Sequence, residues 1–428
     1  MALELGVLAD DLTGGMMIAS LIEREGVVCP LATNAEALAD VGPAAEAVVL
    51  ARKIRLADPD VARAEARAAA AAFAKAGARR IYSKYCATFD STERGNIGPI
   101  AEALMEAMGA QRTVFSPAFP QRRVTVFQGH VFLGPTLMGE SFKRFDPATP
   151  MTESNLVKVL QAQTQTRVGL LAHETLARGK AAAEAELERQ SDIPFFIVDA
   201  VDEADIERTA ELTLDWPLIT GGDSLAPALA RTWRSSARPQ EGANRRLLPP
   251  APGKTAVLAG SCAAATLRQL ALFEERHPVR RIDLVAEADD QDLAASILDW
   301  AAEQLEHGPV AIATSADRDG VAAAQARFGR QGAAARADTV LGALAKGLHR
   351  LGVRKFLVAG GETSGEVIGA LGARRFEVSG FDDLGGGYCH QPGATPLSFV
   401  IKAGGMGSED FFFAALARLA EADAAGKV

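Results

Sequence analysis

The chain has 428 residues, a formal net charge of −9 and four widely spaced cysteines. That length exceeds one ordinary hydrophobic core and predicts two domains, and the acidic balance argues against nucleic acid as the main partner. Cys29, Cys86, Cys262 and Cys389 form no C-x-x-C pair, so neither a disulfide framework nor structural zinc is expected, only buried thiols in a reducing cytoplasm. No basic leader precedes Asp10 and no apolar run reaches about 18 residues, so neither a signal peptide nor a membrane span is expected.

The predicted elements alternate. Residues 3–8 read as a buried strand, 15–25 as a helix, Val48–Ala51 as a strand and the alanine-rich 58–76 as a helix. Arg80–Ser83 is a strand, Ile97–Met108 a helix and Thr113–Ser116 a strand. Residues 120–150, rich in Gly, Pro and Phe with a β-like piece at Arg123–Phe127, read as a hairpin excursion or flap. Helices and the strands Val168–Ala172 and Phe195–Asp199 follow through 154–214. Residues 234–253 hold four prolines and two glycines without periodicity and read as a linker.

A second series then runs as strand 255–259, helix 263–276, strand 281–285, helix 290–306, strand 309–313, helix 338–351 and strand 355–359. A last strand, Leu397–Lys402, leads to a helix with Ser408 as its N-cap. The residues 381–396 before it are glycine-rich. The expected architecture is two α/β layered domains, 1–233 and 254–428, with largely parallel sheets.

Three glycine-rich loops, each after an apolar strand, carry the functional signal: Ala9–Gly15, Ala359–Gly365 and Lys402–Gly407. Such a loop before a helix aims N–H groups and a helix dipole at an anion. The first loop carries Asp10 and Asp11 instead of bare glycine, suited to a hydroxyl, a proton or a metal, or to capping the next helix. This division assigns nucleotide phosphates to the C-terminal half and a small polar substrate to the N-terminal half. Ser83–Gly98 is dense in hydrogen-bonding groups. Lys84 and Arg94 suit a carboxylate or phosphate; Asp90, Ser91, Thr92 and Asn96 suit hydroxyls, or a self-capped helix start. Arg52, Lys53 and Arg55 add cations after the second strand, with one of the three expected to be functional.

In the C-terminal half the backbone at 260–262, 360–365 and 403–407 offers N–H donors, with Lys402 and Glu362 beside them. There is no G-x-x-x-x-G-K-[ST], no H-E-x-x-H and no G-x-S-x-G, which excludes a Walker fold, a zinc hydrolase and a serine hydrolase elbow. His130, inside the flap, is a weak candidate for a substrate contact, and His390 reads as structural.

With these motifs the chain resembles the four-carbon acid sugar kinase family over nearly its whole length. The resemblance rests on Ala9-Asp10-Asp11-Leu12-Thr13-Gly14, the long tract Lys84–Pro99, Gly260-Ser261-Cys262 and Gly360–Ser364, in that order. It implies a sugar-acid domain and a nucleotide domain with the active site in the cleft between them, and ATP- and Mg²⁺-dependent phosphorylation of a terminal hydroxyl. It places substrate on Asp10, Arg55, Lys84, Asp90 and Ser91, beside Thr92 and Arg94, and ATP on Ser261, Gly360, Gly361, Glu362, Thr363, Gly404 and Gly405. Asp10 or Asp11 would act on the hydroxyl proton. The chain departs from the family pattern at Met17, Asp146 and Gly405.

The long form of the Lys84–Asp90 tract favours 3-oxo-tetronate as the acid, ahead of D-threonate or D-erythronate; a branched 3-oxo-isoapionate is a further alternative. A NAD-dependent dehydrogenase would require G-x-G-x-x-G after a first strand, which neither half has. A non-catalytic sugar-acid sensor would need no nucleotide loops. The apolar content is compatible with a homodimer.

Overall fold

The computed structural model describes residues 3–146, 148–235, 247–287, 292–380 and 385–426. The chain divides into two compact units, Met1–Asn244 and Arg245–Val428. Most of the 234–253 segment lies outside the described residues.

The N-terminal unit runs β1 (Leu5–Ala9), α1 (Leu12–Arg24), β2 (Leu31–Ala32), β3 (Ala47–Ala51), α2 (Pro59–Lys75), β4 (Arg80–Lys84), α3 (Ile97–Met108) and β5 (Thr113–Ser116). It continues β6 (Val124–Phe127), β7 (His130–Leu133), β8 (Thr136–Leu137), α4 (Leu156–Gln161), β9 (Val168–Leu171), α5 (His173–Leu176), α6 (Lys180–Arg189), β10 (Phe195–Val198), α7 (Glu203–Thr213), β11 (Leu218–Gly221) and α8 (Leu225–Ser235). Among the described residues its main sheet has the order β2-β3-β1-β4-β11-β5-β10-β9, every neighbouring pair parallel.

Strands β1 and β3 are buried at every position, as helices on both faces of a parallel sheet require, and hence they read as unbroken apolar runs. Helix α2 lays Ala62, Ala66, Ala69, Ala70 and Phe73 into that core. The Phe73 ring occupies the space a Cβ on Gly6 would need, 2.6 Å away. Helix α1 starts three residues earlier than periodicity implies, because the Asp11 side chain accepts the Gly14 N–H and caps it. The flap is present as β6-β7-β8, a small antiparallel sheet. Its first turn is Gln128-Gly129, both at positive φ, and both N–H groups donate to Asp199.

The C-terminal unit runs β12 (Lys254–Ala259), α9 (Ala264–Glu274), β13 (Val279–Arg281), α10 (Leu293–Gln304), β14 (Val310–Ala313), α11 (Arg318–Arg350), β15 (Val353–Ala359), α12 (Gly361–Ala370), β16 (Arg375–Val378), β17 (Gly387–Gln391), β18 (Leu397–Lys402) and α13 (Phe411–Ala425). Strands β13-β14-β12-β15-β18 pair in parallel, and β17 and β16 extend that sheet antiparallel.

Several expectations are corrected here. The strand placed at 281–285 is Val279–Arg281, because pairing with Ala311–Ala313 of β14 fixes its register. The helix placed at 338–351 begins at Arg318 and is broken at Gly329 (φ +72°). Ser408 is not the cap of α13: it precedes Asp410, whose carboxylate accepts its hydroxyl at 2.6 Å. The cysteines are all free, but only Cys29 and Cys389 are buried; Cys262 is exposed and Cys86 partly so.

Candidate active site

Register across the N-terminal sheet sets Ser116 (β5), Gly221 (β11), Lys84 (β4), Ala9 (β1) and Ala51 (β3) in one row at the C-terminal ends of five adjacent parallel strands. Ligands of open α/β sheets bind along this edge. Directly beyond the row stand Asp10 and Asp11 after β1, Arg55 after β3, and Asp223 after β11. The turn that carries Arg55 is fixed from below, because the buried Asn96 amide donates to the carbonyls of Ile54 (2.7 Å) and Ala57 (2.9 Å).

Arg55 forms a two-pronged bond to Asp10, Nε to Oδ2 at 2.8 Å and Nη2 to Oδ1 at 2.7 Å, while its Nη1 pairs with Asp11. Asp10 is 6% exposed. Burial pushes its carboxyl up, with Arg55 the main opposing influence. Lys84 is 3% exposed, with its Nζ 3.2 Å from Asp223. Burial pulls its ammonium down, but Asp223, Asp10 and Asp11 together outweigh that and hold it above the ordinary lysine range. The residues brought together are therefore Asp10, Asp11, Arg55, Lys84 and Asp223: three carboxylates around two cations.

The other expected substrate residues hold partners outside those five. Asp90 accepts the Thr88 hydroxyl (2.6 Å) and pairs with Lys143 (2.9 Å), which also holds Asp146 (3.1 Å). Ser91 Oγ and the Thr92 carbonyl both take the Gln163 amide, at 2.8 and 2.9 Å. The alternative of a self-capped start for α3 is not what is found: Asn96 makes no side-chain cap bond, and Gln163 Oε1 accepts the Gly98 N–H at 3.2 Å. Arg94 is exposed. Of the three cations after β3, Arg52 is committed to Glu65 and the Thr33 carbonyl. His130 holds the Gln128 carbonyl and His390 the Ser398 hydroxyl, both local contacts. Phe89, fully buried, sits at φ +54°, a backbone state that a large residue keeps only where its surroundings impose it. Its ring meets Tyr85 edge-on at 5.2 Å.

The C-terminal unit repeats the device. Ala313 (β14), Ala259 (β12), Ala359 (β15) and Lys402 (β18) form a second row of parallel strand ends. Beyond it stand Thr314-Ser315, Gly260-Ser261, Gly360-Gly361 and Ala403-Gly404. At Gly260 and Gly404 these loops leave no room for a side chain. A Cβ on Gly404 would fall 1.9 Å from Ser261 Oγ, and one on Gly260 would fall 2.2 Å from Thr363 Oγ1. Gly360 has φ +134° and heads α12, which has no side-chain cap, so the first-turn amides of Gly361–Thr363 lie at a helix N-terminus suited to an anion.

Thr363 donates to Asp338 (2.9 Å), Glu362 is exposed in the same turn, and Gly405 faces open space. Lys402 is 1% exposed and donates to Thr266 (2.9 Å) and the Gly404 carbonyl (3.1 Å). Burial pushes it down to about 8. Sequence reasoning missed Asp223, Lys143, Thr314 and Ser315. Gly221-Gly222-Asp223-Ser224 has the same strand–glycine–polar form as the other loops and was the available signal for Asp223.

Comparison with known proteins agrees with this two-part arrangement. Residues 5–229 match the family description "Sugar-binding N-terminal domain", and residues 256–412 match "Nucleotide-binding C-terminal domain". The chain is 39% identical to a 3-oxo-tetronate kinase of Pseudomonas fluorescens over 97% of both chains. It is equally 39% identical to one of Burkholderia multivorans, again over 97% of both. A crystal structure from Salmonella typhimurium LT2, described as a tRNA synthase, is 35% identical with a TM-score of 0.86, covering 96% of this chain and 98% of that one. A Haemophilus influenzae structure is 31% identical with a TM-score of 0.79, covering 97% and 100%. With both domains matched and more than a third of its residues shared with these kinases over nearly the full length, the chain belongs to the four-carbon acid sugar kinase family.

Proposed function

We propose that this protein is an ATP-dependent kinase that phosphorylates the terminal hydroxyl of 3-oxo-tetronate. The observation that supports the reading is the pair of strand-end rows: one presents carboxylates and cations, the other glycine-bearing loops and the uncapped head of α12. Phosphoryl transfer needs little covalent help from the protein and mostly positioning and charge stabilisation. The second row suits the phosphates of ATP through Ser261, Gly360–Thr363 and Gly404. The first suits a small hydroxylated acid.

The acid's carboxylate is held by Lys84 and Arg55, and the Asp90–Ser91–Thr92 tract, braced by Lys143 and Gln163, closes the side of the site. Asp10 or Asp11 receives the proton as the terminal oxygen bonds to the γ-phosphorus and the bond to the ADP oxygen breaks. Burial raises the Asp10 carboxyl, which suits Asp10 to take up that proton. Mg²⁺ requires only one or two protein carboxylates besides phosphate oxygens, and Glu362, exposed in the first turn of α12, is suited to be one of them. The ion supplies charge neutralisation at the phosphates.

The domain limits that fit this division are 1–233 for the acid and 254–428 for the nucleotide, joined by 234–253. We place the enzyme in the cytoplasm, where ATP is available, and light scattering tests the homodimer. Among the described residues no helix is long and apolar enough to cross a membrane. The deciding experiment is acid-dependent ADP release over 3-oxo-tetronate, 3-oxo-isoapionate, D-threonate and D-erythronate. The highest kcat/KM is expected for 3-oxo-tetronate; no release with any acid overturns the reading.

A further inference from the structure

Four buried side-chain atoms at the C-terminal edge of the N-terminal sheet have no hydrogen-bond partner among the described residues: Thr13 Oγ1, Ser116 Oγ, Asp223 Oδ1 and Ser224 Oγ. Ser116 is 0%, Asp223 5% and Ser224 8% exposed. Leaving such atoms unpaired costs stability, and folded proteins seldom do so without a reason. Here the four share one location. Ser116 and Gly221 are register partners in the strand-end row. Asp223 and Ser224 follow Gly221 and precede α8. Thr13 lies in the first turn of α1, two residues after Asp11.

The loop after β11 is held firmly in place. The Gly222 N–H donates to the Ser116 carbonyl at 3.0 Å, and the buried Tyr82 hydroxyl donates to the Gly222 carbonyl at 2.8 Å. A Cβ on Gly222 would fall 2.4 Å from the Pro117 carbonyl oxygen. Asp223 Oδ1 stands at ion-pair distance from Lys84 Nζ but accepts no hydrogen bond. The three carboxylates of the site therefore differ. Asp10 and Asp11 accept hydrogen bonds from Arg55 and the Gly14 N–H, whereas Asp223 Oδ1 holds an ion pair with Lys84 and no hydrogen bond.

We propose that Gly222-Asp223-Ser224, with Ser116, is the hydroxyl-reading part of the acid site: Asp223 accepts a substrate hydroxyl, while Ser224 and Ser116 donate to a substrate carbonyl or carboxylate oxygen. This rests on the sugar-acid kinase reading and adds to it a specificity element after β11. The ligand class is a short acid bearing both a hydroxyl and a carbonyl, since a site of one spare acceptor and two hydroxyls is complemented by that mixture. A site that hydrogen-bonds a substrate group rejects an analogue lacking it, because its own buried groups are then left unpaired.

The test is calorimetric titration of 3-oxo-tetronate into the full-length chain without nucleotide, for wild type, Ser224→Ala and Asp223→Asn, beside thermal melting and the KM for ATP. Each variant should bind the acid about 10- to 100-fold more weakly, with the KM for ATP unmoved. Ser224→Ala discriminates between roles. It removes an unpaired hydroxyl, so its melting temperature should equal or exceed that of wild type while acid binding falls. A hydroxyl kept for structure would do the opposite. Wild-type acid affinity in both variants overturns the proposal. A wild-type chain that binds the acid but does not phosphorylate it breaks the kinase reading and leaves this one standing; one that binds no 3-oxo-tetronate refutes both.

Discussion

Arg55→Met strips the proposed acid site of one cation and leaves its packing nearly intact, because methionine replaces the apolar stem and removes the guanidinium. Asp10 then loses hydrogen bonds of 2.7 and 2.8 Å, and Asp11 loses its ion pair. Removing one partner of a buried pair costs about 3–5 kcal/mol. Because the Arg55 side chain is 24% exposed, the low end applies, about 3 kcal/mol at neutral pH. The loss is pH-dependent. Burial raises the Asp10 carboxyl, and Arg55 is the strongest opposing influence. Without it the carboxyl rises further, with Lys84 as a weaker counter-charge.

A carboxyl raised in the folded state contributes stability that is present below its unfolded pKa and is lost as pH rises through the folded one. The Arg55→Met deficit should therefore be largest at about pH 8 and shrink towards about pH 5, as Asp10 takes up a proton. Urea unfolding followed by tryptophan fluorescence measures this, with Trp216 and Trp233 reporting the N-terminal unit. The double variant with Asp10→Asn should recover part of the loss, giving a coupling energy of about 1–3 kcal/mol. An equal deficit at both pH values, or strict additivity, would refute the reasoning.

Gly404→Ala drives a Cβ to within 1.9 Å of Ser261 Oγ and 2.9 Å of its Cβ; the KM for ATP should rise at least about tenfold while acid binding holds, a shift of about 1.4 kcal/mol or more. Lys402, lowered to about 8 by burial, should be raised again when phosphate reaches the Gly404 loop. ATP binding at about pH 8 then takes up protons, read by calorimetry in buffers of different ionisation enthalpy, and Lys402→Met should abolish that uptake. Lys143→Ala frees Asp90 and should raise the KM for the acid about tenfold without moving that for ATP. Asp10→Asn should cut turnover about 100-fold or more with ADP binding intact; unchanged turnover would remove Asp10 from the proton transfer.

Alternation of apolar strands and helices was enough to place most elements, because strands buried on both faces leave a compositional trace at every position. What composition does not encode is pairing. Val279–Arg281 carries two arginines and reads as the approach to a strand, yet its register with β14 makes it the strand itself. Strand β17 was invisible because Gly387, His390 and Gln391 lack any apolar alternation; it exists because β18 offers it a free edge. The first half of α11 was missed because Gly320, Gly329 and Gly332 argue locally against a helix, and only Gly329 breaks it.

The candidate site was legible where polar or glycine residues stand at a strand end, as at Asp10, Lys84, Gly360 and Gly404. It was not legible where function depends on which strands are neighbours. Asp223 lies 139 positions after Lys84 in the chain and meets it only because β11 inserts between β4 and β5. That meeting bears on how the acid is held. Asp10, Asp11 and Asp223 already compensate Arg55 and Lys84, so an incoming carboxylate must share cations that have partners, and each new ion pair is offset by one weakened. The hydroxyls of Ser116 and Ser224 hold no hydrogen bond among the described residues, and Asp223 Oδ1 holds only its ion pair with Lys84. Discrimination among short acids should therefore follow their hydroxyl and carbonyl pattern more steeply than their charge.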